Sequence, residues 1–209
     1  MKLPWWKVRL QTLAIALLLS SAVNGTLFVW LRTDGLAQFI FCDKARIVLY
    51  IMNDTLHKFV LSNSLHRRFD AIIHDFSIED LTDFVDSNWI YANDGWLDIA
   101  DHPLVAFAEM EGDCDDYARL IAYISGRKDY ESYFVALGLL DSGHAIAVYH
   151  NGSQWVLADV NGEWQIVEDN VSSHEAIKKL VLTVYPEVRY VVIRDWSLSS
   201  PHYIGVYDE

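Results

Sequence analysis

SGHAIAVYHNGSQWVLADVNG, residues 142–162, holds two runs of alternating residues, HAIAVYH and SQWVLADV, joined by Asn151-Gly152. A period of two sends successive side chains to opposite faces of a strand, and Asn-Gly between two such runs is the strongest short hairpin signal. A two-residue loop at Asn151-Gly152 pairs His150 with Ser153 and, counting back along the ladder, His144 with Asp159. Directly opposed residues share a face, with α-carbons roughly 4.5 to 5.5 Å apart, so this register predicts an imidazole held against a carboxylate. Such a partner orients the ring and supports its cationic form.

Working towards the N-terminus, the next informative stretch is EGDCDDYARLIAYISG, residues 111–126. Tyr117, Leu120, Ile121 and Ile124 form a helical stripe, and Gly126 is read as its C-cap. Asp115 and Asp116 fall in the first turn, where carboxylates satisfy free backbone N–H groups and the positive end of the helix dipole. Cys114 sits among these acids, with Glu111 and Asp113 before it. Negative neighbours push a thiol's pKa up and work against nucleophilicity. Two readings follow: a well-capped helix whose cysteine merely packs, or a nucleophile with a compensating cation. An imidazolium of His144, oriented by Asp159, is that cation, and a thiolate–imidazolium pair at a helix N-terminus is an activated nucleophile.

Further upstream, Leu56, Phe59, Val60, Phe69, Ile72, Ile73 and Phe76 recur at helical steps, interrupted by a polar patch around Asn63. Ser77 and Asp80 resemble a capping box ahead of the stripe Leu81, Phe84, Val85 and Trp89, which predicts a helix over about 78–91. Residues 92–104, broken by Gly95 and Pro103, read as a loop of the kind that lines a cleft. Downstream, Ser172 or Ser173 caps a helix through HEAIKKL, and VRYVVIRDW, residues 188–196, reads as a buried strand extending the sheet. His102, His150, His174 and His202 are read as surface or loop residues.

The chain of 209 residues is long enough for one folded unit plus an extra segment, and its eight Trp, eleven Tyr and nine Phe require a core. A net charge of −13 excludes a nucleic-acid backbone as partner. The charge is uneven: residues 1–31 contain Lys2, Lys7 and Arg9 and no acid. Residues 10–31 are uncharged, and at about 1.5 Å per residue they span a hydrocarbon core of roughly 30 Å. Trp5, Trp6 and Trp30 lie where interfacial aromatics belong, and the basic leader places the N-terminus in the cytoplasm. The competing reading is a signal peptide cut before Val23, after the small residues Ser20 and Ala22. The first tethers the domain to the membrane on its periplasmic or extracellular side, and the second secretes it. Two cysteines, Cys42 and Cys114, are too few for a disulfide scaffold; a single bridge between them is incompatible with a working Cys114 nucleophile. Asn24, Asn53, Asn151 and Asn170 each begin an N-x-[ST] triplet, which decides nothing without a known source.

GDCDDYA at 112–118, GHAIAVY at 143–149 and ADV at 158–160, in that order, resemble the three blocks of the transglutaminase-like superfamily, nearest to its bacterial cysteine proteinases. NWIYANDGW and HPLVAFAEMEGDC resemble the helix and loop that precede the nucleophile there, so the resemblance covers about residues 78–162. It implies an α+β, papain-like core with the nucleophile's helix packed on an antiparallel sheet. The resulting layout is an anchor or signal over 1–32, a helical juxtamembrane region over 33–77 and a transglutaminase-like domain over 78–209. By the resemblance Cys114 is the nucleophile, His144 the general base and acid, and Asp159 the orienting group. The implied chemistry is acyl transfer on a protein or peptide through a thioester, resolved by water in a peptidase or amidase and by an amine in a transglutaminase. Trp89 and Trp96 are candidates for a second oxyanion donor or for cleft and core packing. The alternative is an inactive member of the fold serving as a membrane-tethered protein-binding module. No cofactor is required, although some relatives bind calcium beside the nucleophile, where Asp113 and Asp115 stand; helix capping is the competing role for both. A zinc site using Cys114 and His144 is a further alternative.

Overall fold

The computed structural model describes residues 63–93, 101–139, 142–161, 165–168, 173–198 and 202–205, with backbone only for 63–65, 165–168 and 202–205. They fall within one compact unit, Arg46–Glu209; the other, Met1–Ala45, lies outside the described residues. The expected anchor or signal over 10–31, Cys42 and Trp96 therefore also lie outside them. Among the described residues no helix is long and apolar enough to cross a membrane.

Helix α1 (Asn63–Asp75) begins at the polar patch and buries Phe69 and Ile73, four residues apart on one face. Helix α2 (Ile78–Asn88) starts where the Ser77 hydroxyl accepts from the Asp80 amide at 3.0 Å, and it buries Ile78, Leu81 and Val85. It ends three residues short of the expected 91, because Ile90 and Tyr91 form a short strand, β1 (Ile90–Tyr91). That strand runs parallel to β2 (Glu111–Gly112). Between them, α3 (Pro103–Glu109) replaces the end of the expected loop. Pro103 stands at the helix start, where its missing N–H costs nothing. His102 is not a surface residue: it is 4% exposed and N-caps α3, its Nδ1 accepting from the Leu104 amide at 3.1 Å.

Helix α4 (Cys114–Arg127) is followed by β3 (Glu131–Gly138), β4 (Gly143–His150), β5 (Gln154–Ala158), β6 (Gln165–Glu168), α5 (Ser173–Val184), β7 (Tyr190–Asp195) and β8 (His202–Gly205). The strands form one sheet in the order β6-β5-β4-β3-β7-β8, antiparallel throughout. Strand alternation divides its side chains between two cores. Phe134, Ala145, Ala147, Tyr149, Val156 and Ala158 meet α4 together with Phe69, Leu81 and Val85. Val135, Leu137, Ile146, Val148, Leu157 and Ile193 meet Ile177, Leu180 and Val181 of α5. A sheet covered on both faces explains why its strands are nearly continuous apolar runs. Gly126 lies within α4 rather than capping it; Lys128 is the C-cap. A Cβ at 126 would overlap the Trp196 ring, so the glycine is there to admit the indole.

Candidate active site

Cys114 is the first residue of α4, and Asp113 is the N-cap in extended conformation. The Asp113 carboxylate accepts from the Asp115 amide at 3.1 Å, and the Asp116 carboxylate accepts from the Asp113 amide at 3.1 Å. This reciprocal capping box satisfies amides that have no intrahelical acceptor. The second Asp116 oxygen accepts from the Asp101 amide, while the buried Arg119 donates to the Asp101 carbonyl at 2.9 Å. The chain entering α3 is thereby tied to the first turn of the nucleophile helix. Asp113, Asp115 and Asp116 are all buried, and each offers an oxygen within 4.8 Å of the others. Such a set of hard oxygen donors suits calcium, and the capping role is fulfilled by Asp113 and Asp116.

His144 is the second residue of β4, paired across the sheet with Leu137 of β3. Its Nε2 donates to Asp159 Oδ2 at 2.8 Å, with the His144 side chain 15% and the Asp159 side chain 1% exposed. The other Asp159 oxygen accepts from the Asn161 backbone amide and from Asn161 Nδ2, both at 2.9 Å, so both oxygens are held. The expected contact is present, but the expected register is not. His150 pairs with Trp155 instead of Ser153 and Ala147 with Ala158, a ladder displaced by two residues from the expected one, and Asp159 lies beyond the end of β5. The slip originates at Asn151. Its Oδ1 accepts from the Ser153 and Gln154 amides, both at 3.1 Å, which places Asn151 before the turn rather than within it. Gly152, with φ of +96°, takes the first turn position, and the Asn151 amide closes the loop onto the Gln154 carbonyl at 3.1 Å.

Helix α4 crosses β3 and β4 on the face that carries Ala145 and Ala147. Cys114 is half-buried and packs against the cluster containing Ala145 and Ala158, the chain neighbours of His144 and Asp159. Tyr117, three residues on and nearly sealed, donates to an Asp86 carboxylate oxygen. Its phenol is pushed far above the usual range, first by burial, then by Asp86, with the Asp159 charge adding to the effect. Tyr91 pairs with Gly112 and is 58% exposed. Its phenol is raised first by partial burial and then by Cys114, Asp113 and Asp115. Trp89 packs in the α4-side core, edge-on to Tyr117 at a ring separation of 5.4 Å, with its Nε1 buried.

Tyr91, Asp86 and Tyr117 were not singled out as site residues by the sequence reading. Tyr91 had a signal, since it lies in the NWIYANDGW block beside the nucleophile; the Tyr117–Asp86 bond joins residues 31 apart and had none. A depression of about 450 Å³ lined by Asp70, Ile73, His74, Arg127, Lys128 and Asp129 lies at the opposite end of α4 from Cys114. There Lys128 Nζ donates to the Ile73 and Phe76 carbonyls at 2.7 and 2.6 Å, an arrangement that fastens one helix end to another.

No family model and no curated protein matches the chain. Solved structures do. One is that of calcium-bound LapG from Legionella pneumophila, at 12% identity and a TM-score of 0.39, covering 70% of this chain and 82% of that one. Another is a candidate cysteine protease from Cytophaga hutchinsonii, at 15% identity and a TM-score of 0.35, covering 75% of this chain and 50% of that one.

Proposed function

We propose that this chain is a thiol-dependent acyl-transfer enzyme of transglutaminase-like type, a cysteine peptidase or amidase using Cys114, His144 and Asp159. The observation that carries the reading is the buried His144–Asp159 hydrogen bond at 2.8 Å, with Cys114 half-buried at the N-terminus of the helix that packs on the same strand as His144. With Nε2 committed to Asp159, Nδ1 is the ring nitrogen that exchanges protons. Nδ1 holds the proton taken from the Cys114 thiol, and the resulting thiolate attacks an amide carbonyl. The tetrahedral oxyanion is received by the Cys114 backbone amide at the start of α4. Collapse breaks the C–N bond, His144 returns the proton to the leaving amine, and a thioester remains on Cys114. Water, deprotonated by His144, hydrolyses the thioester and regenerates the thiol; an amine in its place gives transglutamination. Calcium, where it binds, would be held by Asp113, Asp115 and Asp116, supplying positive charge that offsets three buried carboxylates. The basic leader and uncharged residues 10–31 support a domain tethered outside the cytoplasm, with secretion after cleavage as the second reading.

Alkylation of the full chain with iodoacetamide tests the proposal without a known substrate. Discrimination is greatest below neutrality, where an ordinary thiol is almost wholly protonated and an activated one is not. At a pH of about 6, Cys114 is expected to react about tenfold faster than Cys42 and to lose that advantage in His144→Ala. Equal, slow labelling of both cysteines, unaffected by His144→Ala, supports the alternative of an inactive protein-binding module and overturns the enzymatic reading.

A further inference from the structure

His144 has a second neighbour that the proposed chemistry does not use. Its ring lies 5.5 Å from that of Tyr185, with the two planes tilted by 58°. The strand pattern explains why they meet. On β4, Ala145, Ala147 and Tyr149 face α4, whereas Ile146 and Val148 face α5. Leu137, paired with His144 near the start of β4, packs on the α5 side, and the end of α5 reaches the imidazole from there. Tyr185 follows the last residue of α5 and packs against the same cluster. Its amide donates to the Val181 carbonyl at 2.7 Å and its carbonyl accepts from the Val188 amide at 3.1 Å, so its backbone is held on both sides. Pro186 follows it and restricts the preceding residue to extended conformations, ending the helix there and fixing the direction in which Tyr185 leaves.

A single hydrogen bond fixes one point of an imidazole and leaves the ring free to pivot about it. Asp159 holds Nε2; the plane of the ring, and therefore the direction of Nδ1, needs a second constraint. We propose that Tyr185 supplies it: a positioning residue whose ring backs the His144 imidazole from the α5 side and shields the Nε2–Asp159 hydrogen bond from water. The proposal rests on the reading of His144 as the proton-transferring group for its functional meaning, while the contact itself is testable independently.

Nitrogen-15 labelling of histidine in the full chain provides that test. The Nε2 proton of His144, bonded to a buried carboxylate, gives a ring N–H resonance in slow exchange with water, assigned by its loss in Asp159→Ala. Tyr185→Leu keeps apolar bulk but removes the flat ring. It is expected to speed exchange of this proton by about tenfold or more and to slow Cys114 alkylation by about threefold to tenfold, and Tyr185→Phe is expected to restore both. Thermal denaturation confirms that both variants are folded. An unchanged His144 resonance in folded Tyr185→Leu overturns the proposal, as does a Tyr185→Phe variant that behaves like Tyr185→Leu. If wild-type Cys114 alkylation proves independent of His144, the enzymatic reading fails, and the exchange measurement still decides whether Tyr185 holds the ring.

Discussion

Gly112, two residues before Cys114, shows how tightly the nucleophile's surroundings are built. Its φ of +155° lies in a region that other residues rarely occupy, and a Cβ there would overlap the Asp116 carboxylate. That carboxylate accepts from the Asp113 and Asp101 amides and so joins the capping box to the chain that enters α3. Gly112→Ala must displace it. The expected cost is about 1 to 3 kcal/mol, from overpacking and a lost cap, with a fall in melting temperature of about 2 to 4 °C per kcal/mol for a chain of this size. Calorimetry that finds an unchanged melting temperature would show that the glycine is dispensable. The sequence was enough to assign Asp115 and Asp116 to the first helical turn, because that depends on adjacent residues alone. It did not reveal that Asp116 also binds Asp101, fifteen residues away, or that Tyr117 binds Asp86, because those bonds exist only once α2, α3 and α4 have packed.

Among the elements, those with a strong period were legible: the stripe of α4, the α5 helix, the buried strand β7 and both strands of the hairpin. Register was read less well, since it depends on one choice of turn. Asn-Gly announces a hairpin, but the asparagine side chain does better as an acceptor before the turn, where it takes bonds from the Ser153 and Gln154 amides, than as a residue within it. Moving the turn by one residue shifts the strand partners by two in consequence, which keeps each side chain on its expected face. His144 and Asp159 still meet, because Asp159 leaves the end of β5 and its carboxylate reaches the imidazole from beyond the last paired residue. Gly126 was misread for a related reason. A glycine near a helix end is ordinarily a cap, and only the position of Trp196, seventy residues along the chain, shows that this one makes room for an indole. His102 looked like a loop histidine because its local sequence is irregular, yet its ring accepts a helix amide and is buried.

Taken as a whole, the molecule places a sheet between two apolar layers and seals several phenols within or against them. Tyr117 and Tyr149 have pKa values pushed far up, first by burial, and that of Tyr133 is pushed up to about 12, also first by burial. Above pH 10 the unfolded chain releases phenolic protons that the folded chain retains, so each further rise in pH favours unfolding. The stabilisation is complete below about pH 10 and is lost as pH climbs through 10 towards 12 and beyond. Chemical denaturation across that window is expected to show falling stability, with a shallower fall in Tyr117→Phe; a flat profile would contradict the burial of these phenols. At the other end of the molecule's chemistry, one property joins the sheet to the helix: the ionisation of Cys114 in response to His144. Thiolate absorbance in the ultraviolet, titrated in the wild type, Cys114→Ser and His144→Ala, reads it directly. The account expects a thiolate already present at a pH of about 6, absent in Cys114→Ser and displaced to alkaline pH in His144→Ala. A Cys114 thiolate that forms only near the ordinary value of about 8.5, and equally with or without His144, would contradict it.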